Sequence, residues 1–286
     1  MAEIFAKLSQ IINDLAPSEQ KVGKYLLEHS DSVMGISIEQ LAAKSTASQA
    51  AVTRFCKKMG YKGYRDLSIE LGAQLAAEQK TGDQEEYKDI NIGDDVDTIM
   101  RNISYHNAKA IEDSLALTDT SLVQEAANLL YRAQHIDFYG LGASGIVAQD
   151  SMYKFMRINK YSTAYADPHL QITSAANLGK QGVAVAISWS GETKDILEAA
   201  RQAKESGASV ISITRYGETS LEAYSDIHFG LSAPETTIRC GATSSRMAQL
   251  NMIDMLFYCI VSQHYMELYK YLERSRQVVS AKREAK

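Results

Sequence analysis

The sequence predicts two domains of different class. An all-helical amino-terminal domain is followed by an α/β domain built on a five-stranded parallel sheet with helices on both faces. Three observations carry this. The first eighty residues show apolar residues at helical spacing and no alternating strand pattern. Residues 81–97, TGDQEEYKDINIGDDVD, hold seven acidic residues and little periodicity, the composition of a solvated linker. Beyond it, short apolar runs alternate with helical stretches, the rhythm of a parallel sheet.

The helical half begins at Pro17-Ser18, with Val22, Tyr25, Leu26 and His29 on one face. Two short helices follow at 37–44 and 48–59, with Gly60 as a stop, and another at 64–77. Within IEQLAAKSTASQAAVTRF (38–55), Ile38, Leu41 and Ala42 form one apolar face. Ala47, Ala51, Val52, Phe55 and Met59 form a second, across a tight turn at Ser45–Ala47. Such a pair packs as a helix-turn-helix, although Thr46 stands where many of these motifs have glycine. With Val52 inward, Ala50, Thr53, Arg54 and Lys57 point outward, Ser48 and Gln49 sit at the amino end, and Lys58 lies on a flank. Residues 44–65 hold six cations and no acid, whereas residues 1–80 hold ten cations against nine acids. The charge is therefore concentrated on one helix and its flanks, which suits entry into the major groove of double-stranded DNA. A helical dimerisation domain with a solvated basic face is the other reading of the same pattern.

Helical patterns resume at 96–115 and 121–132. Apolar runs at 136–139, 183–187 and 210–213, with weaker ones at 162–165 and 227–231, predict the strands. The boundaries follow: 1–77 for the helix-turn-helix domain, 78–121 for a linker and connecting helix, 122–266 for the α/β domain and 267–286 for a helical tail.

Composition bounds the function. The chain has 286 residues, 45% hydrophobic and 23% charged, which is enough for a large core, and its net charge of −5 excludes a chain basic throughout. Cys56, Cys240 and Cys259 are dispersed and odd in number, so neither a disulfide framework nor a zinc site is expected, and a reducing cytoplasm fits. MAEIFAKLSQ lacks the features of a signal peptide. Met252–Val261 is too short to span a membrane and holds Asp254.

Two loops carry chemistry. Gly140-Leu141-Gly142-Ala143-Ser144-Gly145 follows a strand and fits G-x-G-x-x-G, with Asp167 near the place where a dinucleotide's ribose would be held. The second loop, SWSGET at 188–193, follows the 183–187 strand and opens a helix. Helix amino ends attract anions, and Ser188, Ser190 and Thr193 around them form a neutral cradle for a phosphate monoester. Ser190 reads as the helix N-cap, and Gly191 as a place where backbone approaches a ligand. No lysine follows a glycine run, so the loop is not a nucleotide P-loop. Glu192 and Asp195 stand against a phosphate unless they point outward, and a capped helix without a ligand is the plainer reading.

GLGAS (140–144) and SWSGET (188–193) resemble the signature loops of the sugar isomerase (SIS) domain. The helix-turn-helix with RFCKKMGYKGYRDL (54–67), DPHLQ (167–171) and ATSSRMAQLNMIDMLF (242–257) resemble the RpiR family of bacterial transcription regulators. The resemblance covers nearly the whole chain and implies a flavodoxin-like SIS sheet, binding of operator DNA (pseudo-palindromic) and a phosphorylated sugar as effector. It implies phosphate contacts for Ser188, Ser190 and Thr193, a sugar lining of Ser144 with the Gly142 and Gly145 backbone, and His169, Ser245 and Arg246 as pocket neighbours. His169 reads equally as a structural histidine beside Pro168, and Arg246 as a salt-bridge partner. Within the family the chain looks most like MurR-type repressors, which implies N-acetylmuramic acid 6-phosphate or another amino-sugar phosphate.

SIS folds also serve isomerases and an etherase, which need a general base. Asp167, His169, Glu192 and Glu235 are the candidates, and none forms a recognisable pair in the sequence. The expectation is a regulator without catalytic residues, cofactor or metal, acting as a dimer or tetramer. Leu250, Ile253, Met255, Leu256 and Phe257 of the 247–261 helix are candidates for the interface or for the core. The alternative is a sugar-phosphate isomerase or etherase.

Overall fold

The computed structural model describes residues 3–29, 36–78, 93–233 and 242–284. Met1–Leu117 and Thr118–Lys286 form two compact units. Most of the acidic linker, together with Glu235 and Cys240, lies outside the described residues.

In the first unit, α1 (Glu3–Ile11), α2 (Pro17–Glu28), α3 (Ile38–Lys44), α4 (Gln49–Lys58) and α5 (Tyr64–Glu78) surround one core. Leu8, Val22, Leu26, Leu41, Val52 and Phe55 are its centre. The local chemistry fixes where α3 and α4 begin. Ser37 and Gln40 cap each other reciprocally at 3.2 and 2.8 Å, and the Ser48 hydroxyl accepts from the Ala51 N–H at 3.2 Å. The turn between them places Thr46 at φ 51, so a β-branched residue holds the left-handed position that favours glycine. The motif thus survives without its customary glycine, at the expense of local strain. The helix expected at 96–115 is α6 (Val96–Leu117), which packs on α1.

The second unit starts with α7 (Thr120–Arg132). Then β1 (His135–Tyr139), β2 (Ser162–Thr163), β3 (Gly182–Ile187), β4 (Ser209–Arg215) and β5 (Ile227–Leu231) form a parallel sheet in the order β2-β1-β3-β4-β5. This is the flavodoxin-like order, and the chain switches direction across the sheet between β1 and β3. α8 (Gly142–Arg157) and α11 (Thr243–Gln263) cover one face, where the rings of Phe138, Phe155 and Phe257 meet in tilted and edge-to-face contacts, with centroids 5.3 and 5.8 Å apart. α9 (Pro168–Ala176) and α10 (Lys194–Glu205) cover the other, over Tyr139, Ala184 and Ala186. On that second face Asp137, fully buried, accepts from Tyr139 at 2.8 Å and from Thr163 and Ser174. α12 (Tyr265–Glu284) follows α11. Ile253, Leu256 and Phe257 of α11 are buried and Leu250 and Met255 half-buried, so this helix serves mainly as core.

Candidate functional site

In the first unit α4 presents an outward face. Val52 is fully buried, and Ser48, Gln49, Ala50, Arg54, Lys57 and Lys58 are exposed, with Thr53 half-buried. The inside-outside assignment read from the sequence therefore holds at these positions except Thr53, which is half-buried rather than outward. Lys44, Lys62 and Arg65 are exposed as well. Two side chains carry constraints not evident from the sequence. The Thr53 hydroxyl donates back to the Gln49 carbonyl at 3.0 Å. Arg54 donates from Nε to Glu19 Oε1 at 3.0 Å and from its terminal nitrogen to the Ser18 hydroxyl at 3.4 Å. Glu19 is only 5% exposed, and its other oxygen accepts from the Ala16 N–H at the start of α2. Arg54 thus locks α4 against α2 while 55% of its side chain remains open to solvent.

In the second unit a cavity of about 250 Å³ opens at the carboxyl ends of β1 and β3, where the strand order reverses. Three helices begin at its wall. Ala143 and Ser144 come from the first turn of α8, Thr193 and Ile196 from the start of α10, and Ala242 and Ser245 from the start of α11. The leading N–H groups of a helix lack intrahelical partners and carry partial positive charge, so three such ends make an anion-attracting wall without a formal cation. Five hydroxyls, from Ser144, Ser188, Ser190, Thr193 and Ser245, line it, together with the Gln249 amide and the apolar Leu141, Ile187 and Trp189. None of the lining side chains among the described residues is ionisable.

The SWSGET loop differs in detail from its sequence reading. α10 starts at Lys194 and its N-cap is Thr193, not Ser190. The Ser190 hydroxyl instead accepts from the Glu192 N–H at 3.2 Å, closing a small turn before the helix. Ser188 and Thr193 share a hydrogen bond between hydroxyls at 3.1 Å. The Glu192 carboxylate points away from the cavity: it accepts from the Ser220 N–H at 2.7 Å and the Ser220 hydroxyl at 2.6 Å. Those bonds hold its pKa below the usual carboxylate range. Its feared repulsion of a phosphate is thereby relieved. Gly191 has φ +70, and a Cβ there would lie 2.5 Å from the Thr219 Cβ. Close passage of the next loop explains this glycine.

Gly142, Gly145, His169, Gly191 and Arg246 do not line the cavity. His169 is exposed on the first turn of α9, and Arg246 is half-buried on α11. Asp167, the ribose candidate, caps α9 by accepting from the N–H groups of His169 and Leu170 at 2.8 and 3.1 Å. At Gly140 a Cβ would sit 2.6 Å from the Ser144 carbonyl oxygen, so packing of the loop on its own helix accounts for that glycine. Sequence reasoning missed Gln249, although it placed Ser245, at the third helix end, beside the pocket. A polar residue one turn after Ser245, on the buried side of an otherwise apolar helix, was the available signal.

A helix-turn-helix joined in one chain to a hydroxyl-lined cavity at a parallel-sheet switch point defines a transcriptional regulator with a sugar-phosphate-binding SIS domain. The comparisons agree. Residues 2–78 match the model of the helix-turn-helix domain, rpiR family, and residues 129–258 match the SIS domain. An uncharacterized HTH-type transcriptional regulator of Caldanaerobacter subterraneus subsp. tengcongensis is 40% identical over 99% of both chains. The Bacillus subtilis regulator YbbH, likewise uncharacterized, is 36% identical over 97% of both. The chain belongs to the RpiR family of HTH-type transcriptional regulators. Among solved structures, the Vibrio vulnificus NanR protein complexed with ManNAc-6P is 26% identical, covers 97% of this chain and 98% of its own, and superposes with a TM-score of 0.61. The sugar isomerase domain of an RpiR transcription factor from Sphaerobacter thermophilus shares the fold, at 14% identity over 63% of this chain and 98% of its own, with a TM-score of 0.57. No helix among the described residues is long and apolar enough to cross a membrane.

Proposed function

We propose that the chain is a repressor whose SIS cavity binds the 6-phosphate of an N-acetylated amino sugar, and that this binding weakens its hold on operator DNA. The observation that carries the reading is the cavity itself: three helix amino ends and five hydroxyls around a lining that is neutral among the described residues. Such a wall suits a phosphate at one end and sugar hydroxyls at the other. Ser188, Ser190 and Thr193 hold the phosphate, and Ser144 and Ser245 face the sugar. Likeness to NanR, which was solved with ManNAc-6P, and to MurR-type repressors narrows the effector to N-acetylmannosamine 6-phosphate, N-acetylmuramic acid 6-phosphate or a close relative. On the DNA side, Ser48, Gln49 and Ala50 enter the groove while Lys57 and Lys58 meet phosphates.

The protein acts without turnover. Of the four candidate bases, Asp167 is spent on capping α9, His169 is exposed on that helix and Glu192 is bound to Ser220, while Glu235 lies outside the described residues. It works as a dimer or larger, because two recognition helices one helical turn apart, about 34–36 Å, are what a two-fold operator requires. Effector binding alters the pairing and hence that spacing.

The test is reciprocity. Calorimetric titration of N-acetylmuramic acid 6-phosphate and N-acetylmannosamine 6-phosphate, each with and without a selected operator duplex, should show the operator weakening effector affinity about five- to 150-fold, the range of typical couplings. Equal affinities in both titrations overturn the reading. Unchanged sugar phosphates by NMR after long incubation are expected, and conversion would favour the isomerase or etherase.

A further inference from the structure

We propose that Glu19, on α2 and outside the α3–α4 pair, sets the sequence specificity of DNA binding by aiming Arg54 at a guanine. This rests on the reading of α4 as the recognition helix. Glu19 is 5% exposed, and both of its carboxylate oxygens are engaged. Oε2 accepts from the N–H of Ala16, the N-cap residue of α2, at 3.3 Å. Oε1 accepts from Arg54 Nε at 3.0 Å. The carboxylate is thus fixed by its own helix, and it fixes the guanidinium in turn.

A guanidinium carries five N–H donors in one plane. The side edge of Arg54, Nε with Nη2, is turned toward α2, where Nη2 also donates to the Ser18 hydroxyl at 3.4 Å. The remaining donors, on Nη1 and Nη2, form the end edge, and 55% of the side chain is open to solvent. That edge is a parallel N–H pair, the pair that fits O6 and N7 of guanine in the major groove. Anchoring changes what such a side chain can do. A free arginine loses rotamer freedom when it docks, and it can swing to the nearest phosphate whatever the sequence. An arginine held by its side edge has lost that freedom already in the fold. It meets a guanine or leaves its donors without an acceptor, and that difference is specificity. Glu19 touches no base, so it is a positioning residue.

The experiment uses the full-length chain and two probes: a duplex enriched with the wild type from a random-sequence pool, and a random duplex of the same length. Every base pair of the enriched duplex is replaced singly, and affinities are read by fluorescence anisotropy at one salt concentration. Wild type should lose about five- to 150-fold at a guanine position, the cost of one bidentate contact. Arg54→Ala should flatten that position and leave the others. Glu19→Gln keeps shape and burial, but an amide has one acceptor oxygen where the carboxylate uses two, so it cannot hold both the Ala16 N–H and Arg54 in place. It should lower discrimination at the same position by about two- to tenfold, the cost of ordering one freed side chain, while holding the random duplex at least as tightly. Glu19→Ala removes the tether by truncation and should act alike, which gives a second route should the glutamine variant not fold. In an Arg54→Ala background neither Glu19 variant should alter discrimination, an outcome that a purely structural role would not give. A folded Glu19 variant with the wild-type profile overturns the assignment. So does an equal loss at all positions, which marks Arg54 as a phosphate contact or Glu19 as a strut of the fold. An enriched duplex indifferent to Arg54→Ala overturns the assignment but leaves the recognition-helix reading standing. A wild type that enriches no sequence overturns both.

Discussion

Thr193→Val tests the phosphate cradle with little disturbance elsewhere. Thr193 is the N-cap of α10, yet its hydroxyl makes no capping hydrogen bond, so removing it costs the helix nothing at that end. Its backbone, at φ −68 and ψ 112, is extended, and valine accepts that conformation. Among the described residues, the side-chain interaction lost in the free protein is the 3.1 Å bond with Ser188. Bound to a phosphate, the hydroxyl donates to a charged oxygen, and such bonds contribute about 1.5–3 kcal/mol. Affinity should therefore fall roughly 10- to 150-fold, since about 1.4 kcal/mol is tenfold. Isothermal titration with N-acetylmannosamine 6-phosphate reads the loss, and unaltered unfolding confirms an intact fold. Ser190→Ala is less clean, because it also frees the Glu192 N–H. If Thr193→Val binds as tightly as wild type, the phosphate is not held by this loop.

Other substitutions probe the scaffold and the DNA face. Thr46→Gly should stabilise the first unit by about 0.5–1 kcal/mol, because left-handed strain of about 1–2 kcal/mol outweighs the entropy of an added glycine. A higher urea midpoint at constant slope would show it, and an unchanged or lower one would mean the strain is not felt. Gly191→Ala combines positive φ with a 2.5 Å clash against Thr219 and should destabilise by about 2–5 kcal/mol, read by thermal unfolding of the full chain. A folded Arg54→Ala, Lys57→Ala double variant should lose at least about 1–3 kcal/mol of operator affinity in a binding titration, and undiminished binding would remove α4 from the interface.

Much of this was legible in the sequence, and the failures have physical causes. β5 falls on the expected residues because its flanks break cleanly, whereas the expected 162–165 strand shrinks to Ser162–Thr163, an edge pairing only with Ile136 and Asp137 of β1. The faces of α4 were readable because helical geometry alone fixes which residues point inward. The start of α10 was misplaced because Ser190 and Thr193 are equally good caps in one dimension, and only the turn closed by Glu192 decides between them. Gln249 escaped notice because its partner, Ser144, is 105 positions away. Arg54 looked free for the same reason: Glu19 reaches it from 35 positions earlier.

That ion pair alters what a salt titration of DNA binding would count. Each phosphate neutralised by a protein cation frees condensed counterions, and the logarithm of affinity falls with the logarithm of salt by about 0.9 per contact. Six cations stand between residues 44 and 65, but Arg54 has the Glu19 carboxylate already beside it. If α4 meets the duplex as proposed, Arg54 brings its own anion to it and displaces correspondingly fewer ions. The measured slope should therefore undercount the cations on the face. Replacing Glu19 by glutamine should then hand the full guanidinium charge to the DNA, and the salt dependence should steepen by up to about 0.9 per chain although no positive residue has been added.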